Sequence, residues 1–201
     1  MRVLIACEVS GTVRDEFLSR GHDAWSCDIK PAESLPERHL LGDAREVLEM
    51  GWDLMIAHPP CTYLSSSGMH WTVRGLRDPA ETERAIEFVR QLWAAPIARV
   101  CIENPVGVLS TRWRRPSQYI QPYQFGDDAS KRTALWLRGL PPLISTRSVD
   151  PRIVNGRARW ANQTDSGQNR LGPSPERAAI RATTYPGVAA AMAHQWHDFR
   201  L

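Results

Sequence analysis

Cys61 follows a proline pair, Pro59-Pro60, and stands beside Thr62, Ser65, Ser66 and Ser67, so its thiol belongs to a stiff polar loop rather than to an apolar run. A thiol whose direction is fixed in this way is a candidate nucleophile. Cys7, Cys27 and Cys101 fall inside apolar runs and read as small hydrophobes. About forty residues after Cys61, Glu103 ends the run Arg99 to Glu103 (RVCIE). A carboxylate there must pair, meet a ligand or cap the turn Asn104-Pro105-Val106-Gly107, because burying it alone is costly. The ligand alternative makes Glu103 a candidate general acid. The four cysteines lie far apart, with no CxxC and no histidine pair at finger spacing, so neither a disulfide framework nor a metal site is expected.

The elements that position these residues read as alternating strands and helices. Arg2 to Cys7 (RVLIAC) is a short apolar run ending in a Ser-Gly turn, followed by Val13, Phe17 and Leu18 at helical spacing and stopped by Gly21. Asp23 to Cys27 resumes as a strand ending at Asp28, and Gly42-Asp43 introduces a short helix. Asp53 to Ala57 (DLMIA) is a strand stopped by His58-Pro59-Pro60, since proline cannot continue a central ladder. Pro79 to Ala95 carries Ala80, Ile86, Val89, Leu92 and Trp93 in amphipathic register. Gln118 to Phe125 and Thr133 to Leu137 read as later strands, and Pro186 to Trp196 as an Ala-rich closing helix. Near-continuous apolar strands alternating with helices predict an α/β fold, a mainly parallel sheet with helices on both faces. Ligands of such sheets bind at the carboxyl ends of the strands, which here carry Glu8 to Gly11, Asp28, His58 to Cys61 and Glu103-Asn104.

At 201 residues the chain is expected to be one domain, 1–201, with residues 141–182, rich in Pro, Gly, Ser, Asn and Arg, as a small insertion or recognition region. Collagen-like, coiled-coil and disordered classes are excluded by composition. No window of about 20 apolar residues or signal-peptide core is present, so a cytoplasmic location without membrane contact is expected. The net charge of +3 conceals an asymmetry: residues 1–110 sum to −5 and residues 111–181 to +8, with Asp198 and Arg200 cancelling beyond. A local excess of cations suits a phosphate-rich partner, whose counterions are released on binding. Arg147, Arg152, Arg157, Arg159, Trp160 and Arg170 are the candidates for phosphate contact and base stacking.

The apolar strand ending in His58-Pro59-Pro60-Cys61, with Ser65 and Gly68 after it, and the strand ending in Ile102-Glu103-Asn104-Pro105 together resemble the cytosine-5 DNA methyltransferases. The likeness extends to Phe17 with Gly21-His22-Asp23, to Asp28-Ile29, to Gly42-Asp43, and more weakly to Lys131-Arg132-Thr133 and Thr183-Thr184-Tyr185-Pro186. The compact, virus-type members are the most similar. This resemblance implies a Rossmann-like methyltransferase fold dependent on S-adenosylmethionine, acting on DNA in the cytoplasm of a bacterial or phage-infected cell. It implies that Cys61 adds to C6 of cytosine, that Glu103 serves N3, that Asn104 holds the loop and that Arg132 contacts the base or thiol region. For the cofactor it implies Glu8, Gly11, Asp28, Asp43 and Pro60, with Asp28 on the ribose and Asp43 near the adenine amino group. Val9 stands where the family has the first of two glycines, the family's Gln-x-Arg form is absent, and the recognition region is small. Other readings are methyl transfer to an exocyclic amine through the Pro-Pro loop, modification of a free deoxycytidine nucleotide, transfer of another group, and a degenerate binding module.

Overall fold

The computed structural model describes residues 1–197; residues 198–201, the end of the expected domain with Asp198 and Arg200, lie outside the described residues. Along the chain run β1 (Arg2–Ala6), α1 (Thr12–Leu18), β2 (Asp23–Asp28), β3 (His39–Leu41), β4 (Leu54–Ala57), α2 (Ser66–Val73), α3 (Pro79–Ala94), β5 (Arg99–Pro105), α4 (Leu109–Arg112), β6 (Gln118–Ile120), β7 (Thr133–Arg138), β8 (Arg152–Val154), β9 (Arg157–Arg159), α5 (Arg177–Ala182) and α6 (Pro186–Trp196). Seven strands form one sheet in the order β3-β2-β1-β4-β5-β7-β6, and β8 pairs with β9 in a separate ribbon. From β3 to β5 all pairs are parallel; β7 runs antiparallel to both β5 and β6.

Side chains that alternate along each strand divide the core in two. Leu4, Ala6, Met55, Ala57, Val100, Ile102 and Trp136 pack against Ile86, Val89 and Leu92 of α3. The intervening residues Val3, Ile5, Leu54, Ile56, Cys101 and Leu135 pack against Val13 and Phe17 of α1 and Val188, Met192 and Trp196 of α6. Both faces are therefore covered, which is why the central strands read as unbroken apolar runs. Each fully buried aliphatic side chain contributes about 1.5–3 kcal/mol over its exposed state. The helix α3 starts where the sequence directs, with Asp78 accepting from the Ala80 N–H at 2.9 Å and Pro79 in the first turn.

Several expectations shift in detail. The strand expected over Gln118 to Phe125 ends at Ile120, and a 3₁₀ turn over Pro122–Gln124 follows, since Pro122 has no N–H for a ladder. The short helix after Gly42-Asp43 is a 3₁₀ turn, Ala44–Val47, capped by the Asp43 side chain. The short strand β3, the helix α2 and the β8–β9 ribbon carry no strong period and were not anticipated from the sequence. Because β1 pairs with β2 on one side and β4 on the other, the strand order turns at β1, and such sheets hold ligands beyond the carboxyl ends of the strands at that turn.

Candidate active site

Ala57 of β4 lies opposite Ile102 of β5, so His58, which leaves β4, emerges beside Glu103; β5 itself runs on to Pro105, two residues beyond the expected end at Glu103, because Glu103 to Pro105 still pair with β7. The His58 N–H donates to the Ala6 carbonyl at 2.9 Å, which ties the same point to the end of β1. Beyond His58 the two prolines lead into a 3₁₀ turn, Cys61–Tyr63, with Pro60 exposed at its start and Cys61 half-buried in it. This loop is laced to the one that follows β5. Asn104 is 1% exposed and its Nδ2 donates to the Pro59 carbonyl at 2.7 Å. The Ser66 N–H and hydroxyl both donate to the Val106 carbonyl at 3.0 Å, and the Val108 N–H donates to the Leu64 carbonyl at 2.9 Å. A Cβ at Gly107 would lie 1.9 Å from the Leu64 carbonyl oxygen, so the close approach needs glycine. The Ser65 hydroxyl accepts from the Gly68 N–H and starts α2 behind the turn.

Glu103 is held by its neighbours. His58 Nδ1 lies 3.4 Å from Glu103 Oε2, with 9% and 13% of the two side chains exposed. Burial raises the Glu103 carboxyl, but the His58 hydrogen bond, the Lys131 charge and the Thr133 hydroxyl outweigh it and hold Glu103 below its ordinary value. Glu103, Lys131, Thr133, Thr184 and Tyr185 line a cavity of about 10 Å³, room for a single water. Cys61 is not among the residues lining it. Of the two candidate cations, Lys131 faces Glu103, with Nζ donating to the Arg181 carbonyl at 2.9 Å. Arg132 is exposed and stacks its guanidinium over the Tyr119 ring at 4.1 Å. The structure thus brings Glu103 together with His58 and Lys131 and places Arg132 elsewhere. His58 is the residue the sequence reading passed over, and its signal was a histidine directly between a strand end and a proline pair.

The first turn takes a different path from the one expected. Positive φ falls at Cys7 (61°) and Gly11 (75°), and Val9 is not among the positive-φ residues, so its Cβ meets no penalty. Glu8 is 5% exposed and accepts from the Val13 N–H at 2.7 Å and the Arg14 N–H at 3.3 Å, satisfying the start of α1. Burial pushes its carboxyl up, against the pull of His58 and those two N–H groups. A Cβ at Gly11 would lie 2.2 Å from Arg14 Nη2, so the glycine makes room for this fully buried arginine. Arg14 in turn binds the Ser26 hydroxyl at 3.0 Å and the Ser34 carbonyl at 3.0 Å, fastening residues 34–35 across the turn. Asp28 is half-buried at the end of β2 and accepts from the Lys30 N–H at 2.9 Å through Oδ1. Asp43 binds Arg45 through both oxygens, which holds its carboxyl low. Glu8, Gly11 and Asp43 are thus engaged within the protein, whereas Asp28 makes its contact with a neighbouring backbone N–H at the end of β2. Burial and then Asp28 raise the Cys7 thiol, and burial raises Cys27 to about 11 and Cys101 well upward, so these three remain thiols.

In the basic region three of the arginines bind neighbouring groups of the same region. Arg152 pairs with Asp165 at 2.5 Å, Arg159 Nε donates to the Asp165 carbonyl at 3.0 Å, and Arg170 Nε donates to the Gln163 carbonyl at 2.8 Å. Trp160 stacks on Tyr123 with centroids 4.2 Å apart and planes 11° from parallel. Arg147, Arg152, Arg157 and Arg170 are all exposed. No helix among the described residues is long and apolar enough to cross a membrane.

No protein-family model matches the sequence, and no curated protein matches it. Among solved structures the chain is similar to an E. coli protein described as a "putative DNA modification methyltransferase encoded within prophage", with a TM-score of 0.47 and 14% sequence identity. The match covers 68% of this chain and 46% of that one, so the chain spans less than half the length of that protein.

Proposed function

We propose that the chain is a methyltransferase that modifies cytosine in DNA at C5, through a transient bond from Cys61. The observation that supports this reading is the lacing of the cysteine loop to β5: the Asn104 side chain grips the Pro59 carbonyl at 2.7 Å, fixing that loop against the strand that carries Glu103. C5 of cytosine is not nucleophilic by itself. Addition of the Cys61 thiolate to C6 moves the ring electrons so that C5 carries the density and N3 takes a proton. Glu103 serves N3, and Lys131 and His58 balance its charge. S-adenosylmethionine, when bound, supplies the electrophilic methyl group, and Asp28 at the end of β2 would hold its ribose hydroxyls. Loss of the C5 proton and cleavage of the sulfur–C6 bond then free Cys61. Within duplex DNA the base must leave the stack, and the 10 Å³ cavity beside Glu103 must widen to admit it.

The reading is tested by incubating the protein with methyl-labelled S-adenosylmethionine and DNA, followed by nucleoside analysis. Label in 5-methylcytosine is expected. A DNA containing 5-fluorocytosine should then trap a covalent complex that Cys61→Ala abolishes. Label in an exocyclic N-methyl base instead, with Cys61→Ala still active, overturns it.

A further inference from the structure

Glu103 rests as the anion: His58, Lys131 and Thr133 all favour its charged form. A group that must give N3 a proton and yet rests without one needs a donor beside it. Among the groups in reach, Lys131 lines the cavity and gives Nζ to the Arg181 carbonyl, while the imidazole of His58 points Nδ1 at Glu103 Oε2 from 3.4 Å. The other ring nitrogen, Nε2, is buried with no hydrogen-bond partner. An unused polar atom on a ring that is nine-tenths buried carries a desolvation cost without a structural return. Nor is the ring needed to hold the loop, since Asn104 already holds Pro59 and the His58 backbone already holds Ala6.

We propose that His58 is a positioning residue that hands a proton to Glu103 as cytosine N3 is protonated and takes it back when the product is released. The proposal rests on the C5 reading above and assigns the source of the N3 proton. The sulfur–C6 bond forms as the C5–C6 π pair moves to C4–C5 and the C4–N3 π pair moves to N3. His58, as the imidazolium, gives its Nδ1 proton to the Glu103 carboxylate and is left neutral with a proton on Nε2, and the Glu103 carboxyl passes the proton it received to N3. When the C5 hydrogen leaves as a proton and the sulfur–C6 bond breaks, the pairs return and N3 gives its proton back along the same path. The charged groups around the ring fit this exchange. Glu103 on β5 faces Nδ1, Glu8 after β1 is the second carboxylate that feels the ring's charge, Lys131 before β7 lies on the far side of Glu103, and Cys61 shares the loop. The Arg14 guanidinium is turned to Ser26 and Ser34.

The test uses DNA tritiated at cytosine C5, without any methyl donor. Once Cys61 has added, C5 can take a solvent proton and lose its tritium, so release to water reads addition, N3 protonation and exchange at C5 without methyl transfer. Wild-type protein is expected to release tritium to water. His58→Gln keeps an N–H for Glu103 but has no proton to give. It is expected to be about 100-fold slower, the low end for acid–base assistance. A His58→Gln rate equal to wild type overturns the proposal and leaves the C5 reading intact. Release by wild type that Cys61→Ala abolishes supports the C5 reading whatever His58 does, whereas no release by wild type overturns both. A second measurement needs no variant: ring ¹⁵N spectra of the wild-type protein are expected to show His58 protonated at both ring nitrogens under the assay conditions, and a His58 with either nitrogen unprotonated overturns the proposal.

Discussion

Asn104→Ala is expected to loosen the cysteine loop at a buried side-chain tie to the neighbouring strand. The Asn104 side chain is almost fully buried and donates to the Pro59 carbonyl at 2.7 Å, while its own Oδ1 has no partner. Truncation removes the donor and leaves the Pro59 carbonyl unsatisfied, which costs about 1–3 kcal/mol. For a chain of this size that lowers Tm by about 2–12 °C. The catalytic effect should be larger than the stability effect suggests, since a misplacement of about 1 Å costs about 100-fold in rate. Trapping on 5-fluorocytosine DNA and differential scanning calorimetry read the two consequences separately. Asn104→Asp sharpens the test, because it keeps the shape but sets a carboxylate oxygen against the carbonyl. Only the protonated acid can donate, and burial raises its pKa, so trapping should recover as pH falls. An Asn104→Ala protein that melts within about 1 °C of wild type and traps at its rate would refute the reasoning that this bond fixes Cys61.

Gly107→Ala should cost about 3 kcal/mol in urea unfolding, since its Cβ would lie 1.9 Å from the Leu64 carbonyl oxygen and the two loops would have to part; unchanged stability would show that the loops yield freely. Glu103 is held below its ordinary value of 4.5, so its contribution to stability is present above pH 4.5 and is lost as pH falls through the folded value. The gap between wild type and Glu103→Gln should therefore be widest near neutrality and close below pH 4.5, and a gap that widens on acidification contradicts the assignment. Arg147→Ala and Arg157→Ala, both exposed, should each weaken DNA binding across sequences and reduce the salt slope by about 1. Arg152→Ala and Trp160→Ala should instead lower thermal stability, through loss of the Asp165 pair and the Tyr123 stack, and a selective loss of DNA binding without a change in melting would count against this division.

The ends of β4 and β5 were legible because proline punctuates both runs, and a buried apolar strand has few other places to stop. From this alone Cys61 and Glu103 belonged to one rim of a parallel sheet. The choice between Lys131 and Arg132 was not legible. Adjacent residues entering a strand point to opposite sides, and a slip of one position exchanges them. Only the register of β7 on β5, with Glu103 opposite Leu135 and Pro105 opposite Thr133, sets which cation meets the acid. The fate of Trp160 was likewise hidden, because its partner Tyr123 lies in a different part of the chain.

What the sequence determined by itself is local: which segments are apolar enough to become strands, where proline and glycine end them, and that a thiol and a carboxylate stand just past two of those ends. The tertiary structure decided who meets whom. The pairing of His58 with Glu103 needs β4 beside β5 in one register, and the burial of Glu8 and Arg14 needs α1 docked and residues 34–35 folded across its first turn. The physical reason is that propensity and turn chemistry act over a few residues, whereas the charge and hydrogen bonding of a site come from side chains brought together by strand order, which a linear pattern does not encode.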